Sequence, residues 1–289
     1  MDDEAAVYPK TRSRPPPGGN DSISPRVVRS VSLIVTTYNW PQALALTFAS
    51  IEGQSQLPDE IIVADDGSGT DTAQVVAEWK QRLRCMVRHS WQQDEGYRLS
   101  RSRNRAIALA KGDYLVLVDG DMILHSRFIE DHVRCARADC FIQGARPRLS
   151  RSLTARLLNG ERAHLSVFTP GIEHRAYALR NPLLSHLTSR ARFSLGGIQG
   201  CNQSFWREHV TQVNGYDERF EGWGPEDREF ATRLMHLGLK RNYIRHRAIA
   251  FHLYHSSRAP TGDNPYDALL QETQQNRSTR CARGLDGHA

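Results

Sequence analysis

Two carboxylates, Asp119 and Asp121, stand one glycine apart at the end of the apolar run Tyr114 to Val118. A buried strand that delivers two acids to its carboxyl end builds a place for positive charge, and such ends are where open α/β sheets hold ligands. Hard oxygen ligands so placed suit Mg²⁺ or Mn²⁺, which leave room for phosphate and water. Asp-Gly-Asp is also good turn chemistry, so the motif gains its meaning from its surroundings.

Four further groups carry candidate chemistry. Thr36-Thr37-Tyr38-Asn39 ends the first apolar run, with polar groups and a ring suited to a nucleotide base; Pro41 fits a helix start there as well. Asp65-Asp66-Gly67-Ser68 ends the second run, where a carboxylate can accept from a base N–H or a ribose hydroxyl, or simply make a turn. Arg98 leads an arginine-rich stretch at a helix start, where backbone N–H groups favour anions such as diphosphate; a solvated face is the competing account of Arg101 and Arg105. Gly222-Trp223-Gly224-Pro225-Glu226-Asp227 sets a tryptophan between glycines before an acidic helix start. Capping explains the proline and the acids. It does not explain the tryptophan, which can floor a sugar site whose hydroxyls the two acids bind. His252 and His255 follow the last strand-like run and can complete a metal's coordination, or be structural.

These groups need a scaffold, and the first half of the chain supplies its rhythm. Strand signals at Val31 to Thr36, Glu60 to Ala64, Cys85 to Arg88 and Tyr114 to Val118 alternate with helix signals at Ala43 to Ile51, Thr72 to Leu83 and Leu99 to Ala110. That order predicts an α/β fold with a mostly parallel sheet and helices on both faces. Residues 145 to 195 show few periodic segments and read as a lid or binding loop. Order returns from Gly196, with a strand through Phe205, a helix from Glu226 to about Leu237 and two short strands ending near His252.

The expected organisation is a disordered tail over 1–28, a first portion over 29–135, a second portion of the same domain over 136–258, and a polar tail over 259–289. The last has little to bury beyond one short helix near Tyr266 to Gln274. Hydrophobic residues form 39% and charged residues 24% of the 289, ordinary for a soluble globular protein. No stretch has transmembrane length, and no N-terminal segment reads as a signal peptide. Five cysteines without metal spacing read as reduced thiols of a cytoplasmic protein. The net charge of +6 allows nucleic acid, anionic lipid or a phosphorylated substrate as partner, or a solvated basic face.

Taken in order from Val31 to His255, these segments resemble family 2 glycosyltransferases of the GT-A fold. Val31 to Asn39 and Ile61 to Ser68 look like that family's first two strand–loop units. Asp119-Gly120-Asp121 looks like its DxD motif. The region from Gly196-Gly197-Ile198-Gln199-Gly200 through Asn214-Gly215-Tyr216-Asp217 to Asp227 resembles the carboxyl-terminal portion of β-1,4-galactosyltransferases and chondroitin polymerases. The resemblance implies a Rossmann-like sheet and a metal-dependent, inverting transfer of a hexose or N-acetylhexosamine from a UDP-linked donor to a glycan hydroxyl, in bacterial surface polysaccharide or lipopolysaccharide synthesis. It implies Tyr38 against uracil with Thr36 and Asp66 nearby, and Arg98 facing base or diphosphate. It sets Asp119, on ribose or metal, and Gly120 at the donor, Asp121 with His252 or His255 on Mn²⁺ or Mg²⁺, Trp223, Glu226 and Asp227 at the acceptor, and Glu226 and Asp227 in catalysis with Asp227 as the base. It makes 29–135 the nucleotide-sugar-binding portion and 136–258 the acceptor-binding and catalytic portion, which departs most from the family pattern between Ala145 and Leu195.

Three other readings stand beside it: a nucleotidyltransferase, which would release pyrophosphate; a basic nucleic-acid-binding protein, for which four grouped carboxylates are the wrong charge; and a sugar-binding relative without turnover. The basic segment Arg146 to Arg162 reads as a solvated loop or as a peripheral contact with an inner membrane carrying a lipid-linked acceptor.

Overall fold

The computed structural model of the protein describes residues 26–256 and 264–288. The expected N-terminal tail therefore lies almost wholly outside the described residues, as do positions 259–263 of the expected C-terminal tail.

The chain runs through β1 (Val31–Thr37), α1 (Pro41–Glu52), β2 (Glu60–Asp65), α2 (Thr70–Arg82), β3 (Met86–Trp91), α3 (Leu99–Leu109) and β4 (Tyr114–Asp119). There follow β5 (Met122–Leu124), α4 (Phe128–Cys135), β6 (Cys140–Gln143), β7 (Arg148–Leu149), α5 (Arg151–Leu158), β8 (Ile172–Glu173), α6 (Pro182–Thr188) and β9 (Arg190–Arg192). The last part holds β10 (Asn202–Trp206), α7 (Arg207–Gln212), α8 (Glu226–His236), β11 (Lys240–Tyr243), β12 (Ala250–His252) and α9 (Asp267–Asn276). β3 extends past the expected Arg88 because its pairing with β2 continues to Asp65–Trp91, beyond the apolar run.

The main sheet has the order β3-β2-β1-β4-β10-β6-β11-β9. Its first four strands are parallel, as expected, while β10 runs antiparallel to both β4 and β6. Alternation along each strand splits the apolar residues between two faces. Leu33, Val35, Ile61, Val63, Val116 and Val118 pack on Leu44, Phe48, Val76 and Trp79 of α1 and α2. Ile34, Ile62, Leu115 and Leu117 pack on Ala106, Ile107, Phe230 and Leu234 of α3 and α8. Each such side chain, fully buried, contributes roughly 1.5–3 kcal/mol. The strand order reverses between β1 and β4, which opens a crevice at their carboxyl ends.

A chain of buried polar groups pins β10 in this sheet. Tyr114 Oη and Ser204 Oγ are 2.8 Å apart, Ser204 Oγ and His132 Nδ1 2.8 Å, and His132 Nε2 and Asn202 Oδ1 3.0 Å. The Asn202 amide donates to the carbonyls of Ala145 and Ala248. Burial pushes the His132 imidazole down to about 4, so it is neutral near pH 7.

A second, small sheet has the order β5-β12-β7-β8 and closes over Leu149, Leu153, Leu157, Phe251 and Leu253. Residues 145–195 are thus more ordered than their sequence pattern suggests. Ser150 and Asn181 cap α5 and α6, and helices of eight and seven residues are too short to show a sustained period. The C-terminal region also differs from expectation. Leu270, Thr273, Cys281 and Leu285 are buried, and Thr273 Oγ1 donates to Glu229 Oε1 of α8 at 2.9 Å. A mostly polar segment needs only one apolar edge to dock.

Candidate active site

The carboxyl ends of β1, β2 and β4, the start of α8 and the end of β12 face one cavity of about 960 Å³. Its walls include Thr36, Tyr38, Asp66, Asp119, Gly120, Asp121, Trp223, Glu226, Asp227, His252 and His255. The size is ample for a small-molecule site.

On one side, the register of β1 and β4 sets Thr36 opposite Asp119, and Thr36 Oγ1 donates to Asp119 Oδ1 at 2.7 Å. The next residue must turn tightly. Gly120 N donates to Thr36 O at 2.6 Å, and a Cβ on Gly120 would lie 2.6 Å from that same oxygen. Only glycine permits this approach, so the spacer of Asp119-Gly120-Asp121 is sterically required. Asp66 is buried and accepts from Gln92 Nε2 at 2.6 Å and from the Arg98 N–H at 2.7 Å. Burial raises its carboxyl above the usual range despite those bonds. Tyr38 Oη donates to Asp94 at 3.0 Å, which leaves its ring along the cavity wall.

Arg98 differs from its expected placement. Its guanidinium is held by the Glu95 carboxylate and the Gln93 carbonyl, so only its backbone serves the crevice, through Asp66. The α3 arginine that reaches the cavity is Arg103, five residues further along the chain. It is 2% exposed, with Nη1 3.3 Å from Glu226 Oε1 and Nη2 3.6 Å from Asp119 Oδ1. Burial alone would lower it, but its surroundings, Asp119 and Glu226 among them, more than reverse that, so it stays charged. One buried cation thereby joins the strand-end acid to the helix-start acid. Its position was readable in principle: Arg103 falls about one turn before Ile107 on the buried face of α3, and a buried charge needs partners.

Asp121, His252 and His255 come together although they are far apart in sequence. β12 pairs with β5 so that His252 faces Met122, the residue after Asp121. Leu253 N donates to Asp121 O at 3.0 Å. His252 Nε2 and His255 Nε2 lie 3.5 and 3.4 Å from Asp121 Oδ2, and one ligand atom from each residue falls within 4.8 Å of the others. Burial, then Arg146 and His255, push His252 down to about 4, so its ring is a neutral ligand near pH 7. One carboxylate oxygen and two imidazole nitrogens fit a divalent cation. The nitrogens favour Mn²⁺ over Mg²⁺, which prefers oxygen.

Opposite this set, Glu226 and Asp227 open α8. Asp227 Oδ2 accepts from Gly200 N at 2.8 Å, and the next residue's carbonyl, Cys201 O, accepts from Asp119 N at 3.3 Å. The lead-in to β10 therefore bridges the two acidic centres. A helix start by itself favours the ionised form of Asp227. Here removal from solvent outweighs the helix end and raises Asp227. Burial and the neighbouring Asp227 push Glu226 up to about 7. Trp223 is 47% exposed and lines the cavity. Its loop is tied across to Tyr97, whose carbonyl accepts from Gly222 N at 2.7 Å. Tyr97 and Arg103 are cavity residues that sequence reasoning did not single out, and Arg146 and Ile198 were named only within longer segments.

Comparison with known proteins bears on the family and the fold. Residues 32–192 match the family model described as glycosyl transferase family 2, and residues 184–256 match one described as the N-terminal domain of galactosyltransferase. The chain is similar to a hyaluronan synthase of Pasteurella multocida, 29% identical over 72% of this chain and 23% of the relative. It is similar to a chondroitin synthase of Escherichia coli, 27% identical over 73% of this chain and 33% of the relative. It is also similar to a validoxylamine A glucosyltransferase of Streptomyces hygroscopicus subsp. limoneus, 27% identical over 71% of this chain and 47% of the relative. The chain thus spans a quarter to a half of the length of these relatives. Among solved structures, S. aureus TarS 1–349 in complex with UDP-GlcNAc superposes with a TM-score of 0.60 at 15% identity, over 90% of this chain and 69% of that one. This likeness shows the shared fold, a mostly parallel α/β sheet of the GT-A kind.

Proposed function

We propose, from the premise that this chain belongs to glycosyl transferase family 2, that it moves a hexose or N-acetylhexosamine from a UDP-linked donor to a glycan hydroxyl, with inversion and with Mn²⁺ as cofactor. One observation carries the reading: the Asp121–His252–His255 set and the Glu226–Asp227 pair line the same cavity.

Each residue has a physical part to play. Tyr38 lies along the uracil ring, and Asp66, held in place by the Arg98 N–H, accepts from the base. Thr36 orients Asp119 toward the ribose. A divalent cation held by Asp121, His252 and His255 would neutralise charge growing on the leaving diphosphate. Arg103 keeps Asp119 and Glu226 from repelling each other and the incoming anion. Trp223 offers an apolar face to the acceptor ring. Asp227, fixed by Gly200 N–H and made more basic by burial, takes the proton of the attacking hydroxyl. Attack from the face opposite the leaving group inverts the anomeric centre.

The relatives named as hyaluronan and chondroitin synthases support a polysaccharide acceptor, and their bacterial sources support a role in surface polysaccharide or lipopolysaccharide synthesis. Five free cysteines support a cytoplasmic setting. No helix among the described residues is long and apolar enough to cross a membrane. Peripheral contact with an anionic membrane is supported at a different place from the Arg146 to Arg162 segment. On α6 and just past β9, Leu183, Leu187 and Phe193 are 70%, 63% and 59% exposed, and Arg190 and Arg192, close by in sequence, are exposed too. Exposed apolar side chains accompanied by cations suit acyl chains under anionic headgroups.

The deciding experiment is a panel of sugar nucleotides with Mn²⁺, scored for the nucleotide product released without acceptor. Slow release of UDP from one UDP-sugar, stopped by EDTA, is expected. Release of pyrophosphate would instead mark a nucleotidyltransferase, and absence of UDP binding would remove the donor assignment.

A further inference from the structure

The glycines on either side of Trp223 are accounted for by a side chain from the C-terminal segment. A Cβ on Gly222 would lie 3.1 Å from Tyr266 Oη, and one on Gly224 3.1 Å from Tyr266 Cδ2. Gly222 also has φ +118°, which other residues rarely adopt. The Tyr266 ring thus lies against both glycines, 5.7 Å from the Phe220 ring centroid. Asn264 completes the clamp. Its Nδ2 donates to Trp223 O at 3.1 Å, and its Oδ1 accepts from Tyr266 N at 2.9 Å. The segment is anchored behind the clamp by the Thr273–Glu229 bond and by Arg219 Nη1 on Glu272 Oε2 at 3.0 Å. In front of it, Asn264 and Asp267 line the cavity with Trp223 and Arg228.

We propose that Asn264 to Asp267 forms the outer part of the acceptor subsite, with a sugar ring as its ligand class. The inference rests on the glycosyltransferase reading and deepens it. Tyr266 is a positioning residue that fixes the indole of Trp223 through the two glycines. Asp267 accepts a hydrogen bond from a hydroxyl at the rim of the ring stacked on that indole. The chemistry suits a sugar because an exposed indole face covers its C–H groups, while the carboxylate and the Arg228 guanidinium meet hydroxyls at the edge. A flat apolar ligand would leave both charges unused.

The test uses the full chain with Mn²⁺ and its preferred UDP-sugar, and methyl glycosides of N-acetylglucosamine, glucuronic acid and glucose as acceptor probes. Tyr266→Ala and Asp267→Ala are each expected to raise the half-saturating concentration of the accepted probe about tenfold, as loss of one good contact does. Maximal rate and UDP affinity by calorimetry should stay within about twofold of the unaltered protein on that scale. Tyr266→Phe keeps the ring and is expected to restore the value. An unchanged half-saturating concentration in both alanine variants, or an unaltered protein that uses none of the probes, overturns the subsite. Either result leaves the donor reading standing where UDP still binds, and loss of UDP binding by the unaltered protein would strike that reading instead.

Discussion

Replacing Asp227 by asparagine separates proton transfer from everything else the cavity does. The substitution keeps the shape and keeps an oxygen for the Gly200 N–H, now 2.8 Å from Asp227 Oδ2, so the lead-in to β10 should hold its place. What is lost is the ability to take a proton. A positioned base typically contributes about 10²–10⁴-fold, or about 3–5 kcal/mol of barrier at 1.36 kcal/mol per tenfold. Transfer to acceptor should fall by that factor, while UDP affinity with Mn²⁺ stays within about threefold on the same scale. A second signature follows from the pair. Burial and then the Asp227 charge hold Glu226 up near 7, so removing that charge should move the Glu226 titration to lower pH. The residual rate would carry that shift. The assay is UDP release with acceptor present, across pH 5 to 9, beside calorimetric titration of UDP. Retention of more than about a tenth of the transfer rate would refute Asp227 as the base, since that is below the smallest effect a positioned base has.

Three other outcomes are expected. Asp121→Ala or His252→Ala should abolish the Mn²⁺-dependent part of UDP binding, and the unaltered protein should prefer Mn²⁺ to Mg²⁺; UDP affinity that is indifferent to metal or to these changes would count against the cation set. Glu226→Gln should flatten the pH dependence of stability: the folded acid keeps its proton up to about pH 7 while an unfolded glutamate loses it near about 4.3, so stability is full below that lower value and falls as pH rises through the upper one. Melting temperatures of both proteins at acid and mildly alkaline pH check this, and an equal fall in each would contradict it. Leu183→Glu with Leu187→Glu should release the protein from phosphatidylglycerol-containing vesicles in a sedimentation assay while UDP binding persists; equal sedimentation of both would dismiss α6 as a membrane contact.

The donor half of the fold was open to reading because its signals are local. Val31 to Thr37, Glu60 to Asp65 and Tyr114 to Asp119 are continuous apolar runs ending in polar groups, and parallel strands buried on both faces look like that. The rest depends on contacts distant in sequence. That β10 would enter between β4 and β6 in the opposite direction is set by the buried Tyr114–Ser204–His132–Asn202 chain, which no window of sequence reveals. Arg98 looked the better phosphate contact because it stands at the helix start. Glu95 and Gln93 claim its side chain, and helical phase puts Arg103 inside instead. The histidines of the candidate cation set could be named but not ranked, since both approach Asp121 only through the pairing of β12 with β5. The role of Tyr266 was hidden because its partners are glycines, which advertise space without saying what fills it.

The direction of β10 has one more consequence. A parallel neighbour of β4 would bring its own carboxyl terminus to the crevice, and the chain would leave there. Because β10 is reversed, the chain arrives there through Gly200 and Cys201, fresh from the region between 145 and 195. The stretch between 145 and 195 therefore leads through Gly200 straight to the Asp227 carboxylate, yet pairs with none of β1 to β4, the strands that flank the crevice. Under the proposed transfer such wiring is modular: what receives the sugar can be exchanged as one cassette while the machinery that delivers it is left untouched.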